Sequence, residues 1–105
     1  MHKPMRQEIV RRILGVYPEA ELILLYGSRA RNEAHVDSDY DLIVVVESEL
    51  PPALRAAKLH LALRGLGAAF DVLVPTPREY KKNLRWQSSV VFTAASEGTI
   101  LYEAA

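Results

Sequence analysis

Asp39 and Asp41 are separated by one residue and lead into the apolar, β-branched run Leu42-Ile43-Val44-Val45-Val46. Alternate residues of an extended backbone point to one face, so both carboxylates project from the same side of a strand. A third carboxylate, Asp71, stands near the start of a similar run, Phe70 to Val74. Two ionised carboxylates about 4 Å apart repel by roughly 4 kcal/mol at an effective dielectric near 20, so a cluster of them requires a cation or a proton. Oxygen ligands without His or Cys favour Mg²⁺ or Mn²⁺, and Mg²⁺ completes its shell with waters and substrate phosphates. Upstream lies a phosphate cradle. Gly27 permits close backbone approach, Ser28 offers N–H and hydroxyl donors, and Arg29 and Arg31 supply guanidinium groups. Such a cradle facing an anionic metal cluster suits in-line transfer at a nucleoside triphosphate.

The flanking segments must bring these groups together. Residues 4–15 carry Met5, Ile9, Val10, Ile13 and Leu14 on one helical stripe, with Pro4 in the first turn and Gly15 and Pro18 at the end. Leu22 to Tyr26 reads as a strand buried on both faces, and Asp41 to Val46 as a second. Pro51-Pro52 opens a helix through about Leu66, for which Leu54, Ala57, Leu61 and Leu59, Leu63, Leu66 predict a broad apolar face. Phe70 to Val74 is a third strand, stopped by Pro75 and Pro77. A polar helical stretch over 77–85, a helix over 87–97 halted by Gly98, and a strand over 99–102 complete the chain. The order predicts an α/β (α+β) fold, with a mixed sheet of about four strands and helices packed on it. The long, helix-containing connection makes the second and third strands parallel, whereas the first two are expected antiparallel. The end of the first strand and the starts of the other two then meet at one edge, carrying Gly27-Ser28, Asp39, Asp41 and Asp71.

Composition bounds the reading. The 105 residues balance 13 Lys and Arg against 13 Asp and Glu, with half the residues apolar and no Cys. That describes one domain with one core over residues 1–105. Zero net charge argues against binding duplex nucleic acid by broad phosphate neutralisation. No apolar run approaches the roughly 18 residues of a membrane span, and the absence of Cys suits a reducing compartment. A cytoplasmic location is expected, with neither nucleic acid nor membrane as partner.

The string from Gly27-Ser28-Arg29-Ala30-Arg31 through Ser38-Asp39-Tyr40-Asp41-Leu42 resembles the nucleotidyltransferase superfamily signature, a Gly-Ser followed about ten residues later by Asp-x-Asp. Length and the Ala30-Arg31 pair look like the minimal nucleotidyltransferases, antitoxins paired with helical HEPN toxins. The resemblance covers nearly the whole chain. It implies that Gly27 and Ser28 hold the triphosphate, that Asp39 and Asp41 ligate Mg²⁺, and that Asp71 ligates metal or takes the acceptor proton. It further implies transfer of AMP from ATP to a hydroxyl, a tyrosine of a HEPN toxin; the small size of the domain separately leads us to expect a homo- or hetero-oligomer. One departure is Asn32, where the family usually has Gly; Asn tolerates positive φ better than most residues.

Two other functions fit the sequence. A binding module could neutralise its partner by contact alone, since one small domain leaves little room for acceptor recognition. Small-molecule adenylylation normally needs an added acceptor-binding domain. Each candidate also has a bland alternative: Asp39 and Asp41 as a solvated turn, Arg29 and Arg31 as loop cations, and His35 as an exposed side chain. Lys81, Lys82 and Arg85, beside Tyr80 and Trp86, read as a solvated basic face. Tyr17, Tyr26 and Tyr102 read as core or core-edge aromatics.

Overall fold

The structure, a computed structural model, describes residues 4–27, 29–30 and 39–105. Its centre is a sheet in which β1 (Leu22–Tyr26) lies between β2 (Tyr40–Val45) and β4 (Thr99–Glu103), with β3 (Phe70–Leu73) outside β2. β1 pairs antiparallel with β2 and β4, and β2 pairs parallel with β3. Both expected pairings are present. The parallel pair follows from the connection, because a chain that passes through α2 (Pro52–Ala62) can re-enter the sheet in the same direction.

Helices cover both faces. On one, Ile23, Leu25, Leu42, Val44 and Val72 pack with Ile9 and Ile13 of α1 (Met5–Val16) and with Leu59 of α2. On the other, Leu24, Ile43 and Val45 pack with Val91 and Ala94 of α4 (Val90–Glu97), flanked by Tyr80 and Leu84 at α3 (Pro77–Asn83). This double burial explains why β1 and β2 are apolar at successive positions instead of alternating. Each fully buried Leu or Ile contributes about 1.5–3 kcal/mol relative to exposure.

Element ends shift from the sequence expectation in places. α1 continues through Gly15 to Val16, and α2 stops at Ala62 instead of Leu66. The reason lies in α1: Arg12 donates to the carbonyls of Ala62 and Arg64 at 3.1 and 2.8 Å, satisfying groups that a continuing helix would have used. The broad apolar face is narrower than expected. Leu59 and Leu63 are buried, but Leu54 and Leu61 are 53% and 64% exposed, because Arg55 occupies an inward position of the same helix. α4 starts at Val90, three residues later than expected, where the Ser89 side chain caps the Phe92 N–H at 3.0 Å.

Arg55 is the buried charge among the described residues, and it is fully engaged. Its Nε donates to the Leu50 carbonyl at 2.8 Å, and its guanidinium also reaches the Val74 carbonyl and both Glu79 oxygens. Glu79 in turn completes a capping box with Thr76 at the start of α3. One side chain therefore ties α2, the end of β3 and α3 together.

Candidate active site

Tyr26, Asp41 and Asp71 occupy one row across three neighbouring strands. Tyr26 is paired with Asp41 across β1 and β2, and Asp41 with Asp71 across β2 and β3. Strand alternation directs this row to the face shared with Leu24 and Ile43, which α4 covers further along the strands. The row lies at the sheet end where β1 finishes and β2 and β3 begin, as the topology expected. Asp41 is half-buried, Asp71 is exposed, and Asp39 is exposed just before β2.

Gly27 completes this end of the sheet. Its φ of +74° is a left-handed conformation that favours glycine, and a Cβ built there would lie 2.3 Å from Asp41 Oδ2. The glycine thus has two independent reasons: the turn after β1, and the Asp41 carboxylate lying against its backbone. That contact joins the phosphate-loop candidate to the acidic candidate.

The electrostatics agree with the geometry. Burial pushes the Asp41 carboxyl above its ordinary value, and the charges of Asp71 and Asp39 push it further. The same surroundings raise the Tyr26 hydroxyl to about 12, with burial first, then Asp41 and Asp71, so Tyr26 stays protonated at neutral pH. Tyr26 is the neighbour that sequence reading did not assign to the site. Its signal was its place at the last position of a strand, immediately before Gly27.

The three carboxylates share an electrostatic environment, but they do not form a closed metal cage. Among the described residues, no three His, Cys, Asp or Glu side chains stand in metal-holding geometry. Asp39 lies outside β2, where no strand pairing fixes it against the other two.

Arg29 is directed elsewhere. Its guanidinium lies 4.4 Å from the centre of the Tyr40 ring, which stacks on Phe70 at 5.5 Å within the α1 and α2 side of the sheet. Arg6 donates to the Arg29 carbonyl at 3.1 Å, fixing the backbone from α1. The structure therefore does not bring the Arg29 guanidinium to the carboxylate row. Ser28, Arg31, Asn32 and His35 lie outside the described residues. Lys81 lines a cleft of about 410 Å³ with Leu22, Val45 and Glu103, at the opposite strand ends from Asp41. That cleft holds none of the candidate carboxylates, whereas the charges and Gly27 select the other end. Lys82, Arg85 and Trp86 are exposed, matching a solvated basic face.

Residues 8–104 match the family described as Polymerase beta, Nucleotidyltransferase. The chain belongs to this family. The nucleotidyltransferase fold is also found in solved structures. A toxin-antitoxin structure with AMP-PNP matches at TM-score 0.69 and 22% identity, over 94% of this chain and 73% of that one. A chain from the toxin-antitoxin MntA-HepT matches at TM-score 0.62 and 20% identity, over 95% and 71%. A chain from a tri-AMPylated Shewanella oneidensis HEPN toxin in complex with MNT antitoxin matches at TM-score 0.61 and 19% identity, over 95% and 71%. Among curated proteins none matches. For this nucleotidyltransferase-family chain, no helix among the described residues is long and apolar enough to cross a membrane.

Proposed function

We propose that residues 1–105 act as a single minimal nucleotidyltransferase domain that moves AMP from ATP to a hydroxyl of a protein partner and releases pyrophosphate. The observation that carries this reading is the junction of Gly27 with the Asp41 carboxylate, beside Asp71 in the neighbouring strand. Family membership and the toxin-antitoxin complexes among similar folds favour a HEPN toxin as partner; a tyrosine of that toxin as acceptor follows from the resemblance of the sequence signature alone.

The donor set fits a hard divalent cation: it is all carboxylate oxygen, and Asp41 is destabilised in its charged form by its neighbours. Asp39, Asp41 and Asp71 would hold Mg²⁺, which when bound supplies positive charge to the triphosphate. Gly27 lets the loop backbone approach phosphate oxygens, and Ser28 and Arg31 extend that cradle in this reading. Arg29, held by Tyr40 and Arg6, positions the loop instead of contacting phosphate. The acceptor oxygen attacks the α-phosphorus as the bond to pyrophosphate breaks. Asp71, exposed where Asp41 is half-buried, receives the acceptor proton. Neutral Tyr26 keeps a hydrogen-bond donor beside the carboxylates without adding a fourth negative charge.

The test is transfer of label from α-labelled ATP in the presence of Mg²⁺ and a candidate HEPN-type partner protein. A labelled protein band that disappears with Asp41→Asn is the expected result. A folded chain that binds and neutralises its partner without labelling it would instead establish the contact-only module.

A further inference from the structure

Beyond nucleotide chemistry, α2 presents an outward face that the fold does not use. Leu54 and Leu61 are 53% and 64% exposed, and Ala57, between them, is exposed as well. Along α2 the spacing 54, 57, 61 is the three-four step of a helix seam, and Arg64 stands just past the helix end. Single exposed leucines are ordinary, but two of them on one helical stripe with a small residue at the midpoint make a packing surface.

This stripe is self-complementary. A two-fold axis passing beside Ala57 and Lys58 would set Leu54 of one copy against Leu61 of the other, twice, with small Ala57 at the crossing. Glu47 and Glu49, both exposed, precede the helix, and exposed Arg64 follows it. Neither Glu49 nor Arg64 has an ion-pair partner among the described residues. The same axis brings Arg64 of one copy to the Pro51 end of the other, beside Glu49. Lys58, the charge nearest the axis, is drawn aside, with its ammonium 5.8 Å from the centre of the Tyr17 ring. Head-to-tail placement also opposes the two helix dipoles favourably.

We infer that the Leu54, Ala57 and Leu61 face of α2 is the contact of an antiparallel two-fold dimer of this chain, registered by Glu49 and Arg64 across the axis. The face belongs to the side of the sheet remote from the carboxylate row, so the dimer leaves both sites open. Its small extent makes the association weak.

Sedimentation velocity of the full chain from about 5 to about 500 µM tests this. The expected result is a weight-average mass that rises from 11.8 kDa toward twice that value. Leu54→Asp and Leu61→Asp, both at exposed positions, should weaken association at least ~10-fold with unchanged circular dichroism. Glu49→Arg and Arg64→Glu should each weaken it, and the double exchange should restore it. A mass that stays monomeric throughout, or a dimer indifferent to both leucine variants, overturns the proposal. A dimer that loses affinity with the leucine variants but is not restored by the double exchange overturns the antiparallel register.

Discussion

Arg55 with Glu79, and Asp41 with Asp71, are two charged clusters at the sheet, and they are handled in opposite ways. At the first, a buried guanidinium finds two carbonyls and a carboxylate, and Glu79 is held down to about 2, chiefly by its hydrogen bond to Arg55. At the second, like charges sit on paired strands, and burial and mutual repulsion push Asp41 up. The first cluster satisfies every donor that folding buries; the second, among the described residues, has no ion pair to Asp41 or Asp71. A structural network closes on itself, whereas a site for an ionic ligand must leave its interaction to the ligand.

This contrast can be broken by substitution. The largest effect is expected for Asp41→Asn, which should reduce AMP transfer at least ~100-fold in the labelling assay. The same change should leave thermal stability at neutral pH undiminished or raised. A carboxylate with an elevated folded-state pKa stabilises the fold less as pH rises through its titration, and Asn removes that penalty. Arg55→Met should do the reverse, lowering stability by about 3 kcal/mol through lost charge-assisted hydrogen bonds. Urea denaturation measures that loss, and transfer per folded molecule should be retained.

Gly27→Ala should act at both levels. The left-handed φ costs about 1–2 kcal/mol for a residue with a Cβ, and the new methyl displaces the Asp41 carboxylate. Denaturation midpoint and transfer rate should fall together, the rate by roughly tenfold. The smallest effect belongs to Glu79→Gln. Glu79 is 45% exposed, so solvent screening limits the loss to about 1 kcal/mol at pH 7. The wild-type advantage is complete above the ordinary value of 4.5 and disappears as pH falls toward about 2. Stability curves of the two proteins should therefore converge in acid; parallel curves would show that Glu79 acts without its charge.

Much of this was legible before the fold was known. Continuous apolar runs marked β1 and β2, and the length of the β2 to β3 connection predicted their parallel pairing, which in turn aligned Asp41 with Asp71. Less legible was the orientation of α2. Leu54, Ala57 and Leu61 and the stripe of Leu59 and Leu63 have equal claims by hydropathy, and only burial of Arg55 decides between them. A long charged side chain at an inward position contradicts the apolar pattern unless its partners are known, and two of those partners are backbone carbonyls that no sequence pattern displays. Arg29 was ambiguous for a similar reason: a cation beside a phosphate-loop candidate suggests an anion, while its observed neighbour is the Tyr40 ring.

The sequence by itself determined the number and types of elements, the pairing of the strands and the convergence of Gly27, Asp41 and Asp71, because periodicity, connection length and chain direction are local or topological quantities. Tertiary structure alone decided which face of α2 is covered, where Arg29 points and which charges are compensated, because those depend on distances between side chains far apart in the chain.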